Sequence, residues 1–433
     1  MQNDEFYLKR AAEILRNETP LFDDGELKAF VKSFVDRKDV FIKASTLHGS
    51  PLYIIEKDIL AKKVAQFMTA FKAVIPDIRV HYAIKSNNHP FIAVTLVKAG
   101  LGLDVSSGDE LKMALDCGAK DILFSGPGKT DIEIELALKH PDRVIILIDS
   151  FGELGRIAKA AAHAGKSIRA GVRLTTDEAG LWRKFGIPIA DLPQFIREAG
   201  DCPPLQWQGI QFHTSWNLNP DQQVNFIKRL ATVIAGLEPE QKAQVKFIDI
   251  GGGYWPPQGE WIQSVATPEG RLRQAIDAKS ESPLIHHRLP SVPIDTFAQG
   301  IGRTVRAEIF PHVKCTIFLE PGRWLCHDAM HILLKVIDKK SGDIVITDAG
   351  TNTIGWERLE SDYFPVINLT RPSLVERECY VLGSLCTPHD VWGYAYFGAD
   401  IEPGDILLIP TQGAYTYSLR QNFIKPLPKT ALI

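Results

Sequence analysis

The stretch RVHYAIKSN, residues 79–87, decides the reading of the fold. A β-rich apolar run stops at a lysine, a serine and an asparagine, as a buried parallel strand does where it meets a polar loop. The pattern returns in LDVSSG (103–108), FSGPG (124–128), QFHTSW (211–216), IDIGGG (248–253) and FLEPGR (318–323). Amphipathic helical stretches lie between these runs, so the chain reads as repeated βα units on a parallel sheet. The expected strands are Arg79–Ile84, Gly102–Val105, Ile122–Phe124, Val144–Ile148, Arg169–Leu174, Gln208–Phe212, Phe247–Ile250 and Thr316–Leu319. Eight of them predict an α/β chain with a (β/α)₈ TIM-like barrel over residues 52–325, whose chemistry belongs on the loops after the strands.

Working outward, HILLKVIDKKSGDIVITDAG (331–350) and GDILLIPTQGAYTYS (404–418) alternate like strands and lack long helical patterns. They predict a C-terminal β domain over 326–433. Residues 1–51 are expected to be an N-terminal extension contributing to that domain, helical around Glu5–Arg16 and Gly25–Arg37. The Pro-rich, polar segment 254–310 is too long for a βα connection and is expected to be an elaborated surface or substrate loop.

The 433 residues, 45% hydrophobic and 23% charged, suffice for a large core. A formal net charge of -3 carries neither the basic excess of a nucleic-acid binder nor an acidic tail. A small-molecule substrate is therefore expected, with no nucleic-acid partner. The start MQNDEFYLKR lacks the basic-then-apolar pattern of a signal peptide, and no apolar run would span a bilayer, so a cytoplasmic location without membrane association is expected. Six cysteines without CxxC spacing suggest neither a disulfide framework nor a metal site.

Several strand-end residues can carry chemistry. Lys85, partly desolvated after an apolar strand, suits Schiff-base formation, although a solvated lysine ending a strand is the ordinary explanation. Gly251, Gly252 and Gly253 let backbone N–H groups approach an anion such as phosphate, and serve a tight turn equally well. Glu320, Gly322 and Arg323 place a carboxylate suited to a protonated ring nitrogen beside a guanidinium suited to phosphate, or a local ion pair. His213 can stack on a ring, or be a hydrogen-bonded core histidine. Cys386, Asp390 and Tyr415 stand among Gly, Pro and polar residues of the β region, where packing would also explain them.

In this order, the motifs HYAIKSN, SGPGK, IDIGGG, LEPGR, CTPHD and GAYT resemble the fold-type III pyridoxal 5′-phosphate (PLP) decarboxylases, which include diaminopimelate and ornithine decarboxylases. The likeness runs from about Leu52 to Pro426. It implies that Lys85 binds the cofactor covalently, that Glu320 meets the pyridine nitrogen, and that His213 stacks on the ring. It also implies phosphate contacts from Gly251–Gly253, Gly322, Arg323 and Tyr415, and a cofactor pocket lined by Asp104 and Ser107. Cys386 would be a catalytic proton donor supplied by a partner subunit, with Thr387 and Asp390 beside the substrate. A head-to-tail homodimer with shared sites follows from the resemblance.

Two departures bear on the substrate. Where many relatives read His-x-Gly-Ser, with a phosphate-binding serine, this chain reads His213-Thr214-Ser215-Trp216. Where diaminopimelate decarboxylases read Cys-Glu-Ser, it reads Cys386-Thr387-Pro388, without the acid that helps hold a distal amino-acid group. The Cys-Thr-Pro-x-Asp version is similar to a branch in siderophore and antibiotic biosynthesis, whose substrates are conjugated or carrier-bound amino acids. Trp216, Trp255 and Trp392 add aromatic bulk that suits a larger substrate or ordinary packing. The alternatives are a diaminopimelate decarboxylase, an alanine-racemase-like PLP enzyme, and a non-catalytic PLP-binding homologue. Racemases of that kind place arginine at the ring nitrogen, so Glu320 speaks against them, and retention of Lys85, Cys386 and Asp390 speaks against lost activity.

Overall fold

The computed structural model describes residues 2–277, 282–355 and 361–433. The first strand, β1 (Leu52–Ile55), lies outside the barrel, which displaces the expected boundary at residue 52. The barrel comprises β2 (Ile78–Ala83), β3 (Gly102–Val105), β4 (Ile122–Phe124), β5 (Val144–Ile148), β6 (Ile168–Leu174), β7 (Leu205–Phe212) and β8 (Phe247–Asp249), closed by β11 (Thr316–Leu319). The intervening β9 (Glu260–Gln263) and β10 (His286–Leu289) pair only with each other. Every barrel pairing is parallel, and β11 completes the circuit by pairing with both β2 and β8. The eight runs read from the sequence are these eight strands.

Side chains fill the barrel. Phe247 and Phe318 stack with ring centroids 4.5 Å apart and planes 2° apart, against Leu123, Ile145 and Leu147. Gly209 makes this packing possible, because a Cβ there would lie 2.2 Å from the Phe247 ring. At the strand ends, Ser107, Thr130 and Ser150 begin the next helices by accepting hydrogen bonds from the backbone N–H of Glu110, Glu133 and Glu153. Each such cap is worth about 1 kcal/mol, and together they turn the chain sharply from strand into helix.

The chain divides into a barrel unit, residues 58–257 with 292–326, and a β unit, residues 1–57 with 258–291 and 327–433. In the latter, one eight-stranded sheet has the order β13-β15-β16-β14-β17-β12-β1-β18. Its later members are β12 (Met330–Ser341), β13 (Ile344–Thr347), β14 (Ile367–Asn368), β15 (Glu376–Leu382), β16 (Val391–Phe397), β17 (Ile406–Ile409) and β18 (Lys429–Leu432). β1 lies between β12 and β18. All four of its residues are buried, so it lacks the polar alternation of a half-exposed strand and reads like a barrel strand.

The segment 254–310 is not a single loop. The β9–β10 pair belongs to the β unit, and residues 292–310 return to the barrel unit through the helix Ile294–Thr304. Trp261 of β9 packs on Phe22, Phe30 and Tyr363, while His286 of β10 stacks on Tyr363 at 3.5 Å and bonds Glu376 at 2.9 Å. Residues 278–281 of the segment lie outside the described residues. Beside β1, the Glu56 carboxylate accepts two bonds from Arg37, at 2.6 and 3.2 Å, and one from His331 at 2.8 Å. Among the described residues, no helix is long and apolar enough to cross a membrane.

Candidate active site

Lys85 sits in a single 3₁₀ turn, Ile84–Ser86, directly after β2. Its ammonium donates to Asp104 Oδ2 at 2.9 Å, and the other Asp104 oxygen accepts from the Ser125 hydroxyl. Asp104 lies fully buried one residue before the end of β3, so the amine is held against an ionic partner instead of among apolar atoms alone. Glu110, not singled out from the sequence, accepts the Ser106 N–H at 2.7 Å. Burial and the Asp104 charge push its carboxyl up, against the Ser106 bond and the Lys85 charge. The Ser107 hydroxyl caps the helix Gly108–Asp116, accepting the Glu110 N–H at 3.2 Å.

Across the barrel mouth, Glu320 follows β11 and is 2% exposed. Gln211 Nε2 stands 3.4 Å from its Oε1 and His213 Nδ1 stands 3.5 Å from its Oε2. The imidazole tautomer follows from its other contacts. Gly252 N–H donates to Nδ1 at 3.1 Å, so Nδ1 carries no proton, and Nε2–H faces Ser215 Oγ at 3.3 Å. Burial likewise lowers the His213 pKa and favours the neutral ring. The serine of the unusual HTSW stretch thus orients His213, while Thr214 accepts from Asn217 Nδ2 at 2.8 Å.

The three glycines are a packing requirement first. Gly251 and Gly253 have φ of +71° and +82°, where other residues are strained. A Cβ on Gly252 would lie 2.3 Å from the Glu320 carbonyl oxygen, and one on Gly253 2.3 Å from that of Thr214. Two of their N–H groups are already committed, Gly251 to Asp249 Oδ1 at 2.8 Å and Gly252 to His213. The N–H of the turn left without a bond among the described residues is that of Gly253. Gly322 packs against Ser86, where a Cβ would approach to 2.9 Å, and so brings its loop against the Lys85 turn. Arg323 lies over Trp255 at 4.2 Å, and Trp216 stacks on the other tryptophan at 6.3 Å.

Cys386, Thr387, Asp390 and Tyr415 belong to the β unit. Cys386 is exposed in the loop 383–390. Asp390, expected to contact substrate, is spent inside that loop. One oxygen accepts the Thr351 N–H at 2.6 Å and the Thr351 hydroxyl at 3.1 Å, and the other accepts the Leu385 N–H at 2.6 Å. Gly383 leaves no space for a Cβ, which would lie 2.2 Å from Asp390 Oδ2. Trp392 is buried, its Nε1–H bonded to Ala349 O at 2.9 Å, and is a packing residue. Tyr415 is held at a φ of +57°, a conformation rare for a non-glycine residue.

Residues 60–327 match the family model described as pyridoxal-dependent decarboxylase, pyridoxal binding domain. The chain belongs to the pyridoxal-dependent decarboxylases. This decarboxylase is 28% identical to a diaminopimelate decarboxylase of Neisseria meningitidis serogroup A, over 87% of each chain. It is 25% identical to the L-glutamyl-[BtrI acyl-carrier protein] decarboxylase of Niallia circulans, over 92% of this chain and 88% of the relative. Among solved structures, the diaminopimelate decarboxylase of M. jannaschii shares the fold at a TM-score of 0.76 and 24% identity, covering 90% of this chain and 88% of the other.

The cofactor of the family is pyridoxal phosphate, and the residues present fit it. Lys85 supplies an amine at the barrel mouth, Glu320 a buried carboxylate suited to a protonated ring nitrogen, and the Gly253 N–H with Arg323 donors suited to phosphate. Sequence reasoning passed over Glu110, Ser125, Gln211 and Asp249, and considered Ser215 only as a substitute for the phosphate-binding serine. Glu110 lies just past a quoted motif and Asp249 inside IDIGGG, a signal that could have found them; Gln211 and the two serines acquire a role only through their contacts.

Proposed function

We propose that this amino-acid decarboxylase removes the α-carboxylate of a substrate whose far end is conjugated or carrier-linked, as in siderophore or other secondary-metabolite assembly, releasing carbon dioxide and an amine. The observation that carries the substrate reading is the loop 383–390. Its one carboxylate, Asp390, has both oxygens bonded to Thr351 and Leu385, and Thr387 and Pro388 bring no charge. Free diaminopimelate ends in a second ammonium and carboxylate, whose burial calls for opposite charges. The carrier-protein relative supports the same reading.

Bound PLP supplies the electron sink that makes loss of carbon dioxide from the α-carbon feasible. Lys85 would hold the cofactor, with Asp104 orienting the amine; Glu320 would keep a proton on the ring nitrogen, and His213 would lie on the ring face. Gly253, Gly322, Arg323 and Tyr415 would take the phosphate. Cys386 would return a proton to the α-carbon, and Thr387 would meet the substrate. The β-unit residues would come from a second copy, which makes the enzyme a head-to-tail homodimer. A second reading, free diaminopimelate, is favoured by the names of several relatives at 26–28% identity.

Carbon dioxide release should be measured from diaminopimelate, lysine, ornithine, arginine and carrier-linked or side-chain-conjugated amino acids. The expected result is turnover of a conjugated substrate at a kcat/KM at least about tenfold above that of diaminopimelate, which is about 1.4 kcal/mol of discrimination. The reverse order would overturn the substrate reading and leave the decarboxylase reading standing.

A further inference from the structure

Beneath Glu320 lies a second buried acid that the proposed chemistry does not use. Asp249 ends β8 with no exposed surface, directly before the glycine turn. Its Oδ1 accepts the Gly251 N–H, while Oδ2 is buried and has no hydrogen-bond donor among the described residues. Asp249 stands opposite Phe318 in the β8–β11 pairing and the Glu320 N–H donates to Gly251 O at 2.9 Å, which sets the two acids at neighbouring strand ends, where each perturbs the other's titration. Two ionised carboxylates buried side by side are strongly unfavourable, so one of the pair keeps a proton.

The surrounding contacts assign that proton. His213 Nδ1 accepts the Gly252 N–H and stands 3.5 Å from Glu320 Oε2, which leaves it a poor donor, and Gln211 Nε2 reaches Oε1 only at 3.4 Å. A buried anionic Glu320 therefore needs a donor that neither neighbour supplies well, and Asp249 Oδ2 is placed to be one. We propose that Asp249 is a neutral, protonated positioning residue whose Oδ2–H donates to Glu320, keeping the single negative charge of the pair on the carboxylate that faces the cofactor ring. Burial and the Glu320 charge push the Asp249 carboxyl well above its ordinary range, with Asp104 adding to the push and the Gly251 bond opposing it. Glu320 is burdened by burial too, but the neighbouring His213 ring, the Lys85 charge and, after them, the Asp249 hydrogen bond hold it down. Tyr254, the remaining titratable group facing the pair, is pushed up by burial and by both acids and stays a neutral phenol.

The inference rests on the proposed contact between Glu320 and the ring nitrogen, and the test separates the two. A protonated aspartic acid and an asparagine have nearly the same shape, and each offers an acceptor to Gly251 and a donor to Glu320. In PLP-loaded protein, Asp249→Asn should leave the position and pH titration of the visible absorbance band unchanged and keep kcat within about threefold. Asp249→Ala should lower kcat by roughly 10- to 100-fold, the loss of one hydrogen bond to a charged group. Infrared difference spectra of wild type minus Asp249→Asn should show one carbonyl stretch of a protonated carboxylic acid. Absence of that stretch, or a shifted pH titration in Asp249→Asn, would mean that Asp249 is ionised and would overturn the proposal, even if the alanine variant failed to fold. An unchanged visible spectrum in Glu320→Gln would overturn the Glu320 assignment instead, since the infrared band reads the shared proton independently.

Discussion

Asp390→Ala should loosen the β unit and disable the loop that presents Cys386, without touching the barrel. The carboxylate is 2% exposed and accepts three hydrogen bonds, two from backbone N–H groups that have no alternative acceptor once it is gone. Hydrogen bonds to an ionised buried group are worth about 1.5 to 3 kcal/mol each, roughly 5 to 9 kcal/mol in all before costs. Burial pushes the Asp390 carboxyl up despite those bonds, so part of the gain is spent on desolvation. The net loss expected for the alanine variant is about 3 to 5 kcal/mol, the range found when a buried charge loses its partners. For a unit of this size that is a fall in Tm of roughly 10 °C, measurable by calorimetry or by dye-monitored melting. Asp390→Asn keeps an acceptor for Thr351 but turns an amide N–H₂ toward the Leu385 N–H, so it should lose about 1 to 3 kcal/mol. In both variants the visible band of bound PLP should persist while turnover falls. An Asp390→Ala protein that melts within about 2 °C of wild type would refute the reasoning, because it would show that the three bonds do not hold the loop.

Lys85→Ala should abolish the visible band of lysine-bound cofactor in purified protein; a wild type that stays colourless when supplied with PLP would sink the cofactor assignment. Cys386→Ala should keep the band and lose about 10²-fold or more in kcat, and unchanged turnover would dismiss Cys386 as proton donor. Mixing the two inactive variants should restore part of the activity if sites are shared between subunits, and no rescue after demonstrated subunit exchange would count against the head-to-tail dimer. Acid stability should respond to Glu56. Burial opposes its charge, but His331 and Arg37 bring its pKa from 4.5 down to about 2. A depressed carboxylate stabilises the fold above its unfolded value, so about 2 to 3 kcal/mol should be present above pH ~4.5 and vanish as pH falls toward ~2. Glu56→Gln should flatten the melting temperature over that window, and an unaltered slope would show that the Arg37–Glu56–His331 contact stabilises nothing.

The barrel was legible because a parallel strand buried on both faces is a short apolar run that ends in polar or glycine residues, and all eight announce themselves in that way. β1 was misplaced for the same reason. LYII is buried throughout its length, and a run of four apolar residues does not say which sheet buries it. The segment 254–310 misled because its composition is that of a loop, while its strands are held by contacts to residues remote in sequence, such as Tyr363 and Glu376.

At the site, residue types and order were enough to nominate Lys85, Glu320, His213 and the glycine turn, since their chemistry depends on side-chain identity at strand ends. What each one touches is given by distances that no sequence contains. The Gly252 N–H on His213 Nδ1 sets the imidazole tautomer and leaves Gly253 with the available N–H. Asp390 reads as a substrate acid beside a reactive cysteine until three hydrogen bonds make it the anchor of its own loop. Asp249 reads as the end of a strand until burial brings it against Glu320. By itself the sequence determined the barrel and the cofactor class and nominated the lysine. The tertiary structure decided where protons and charges reside, because these depend on burial and on hydrogen-bond partners that folding alone brings together.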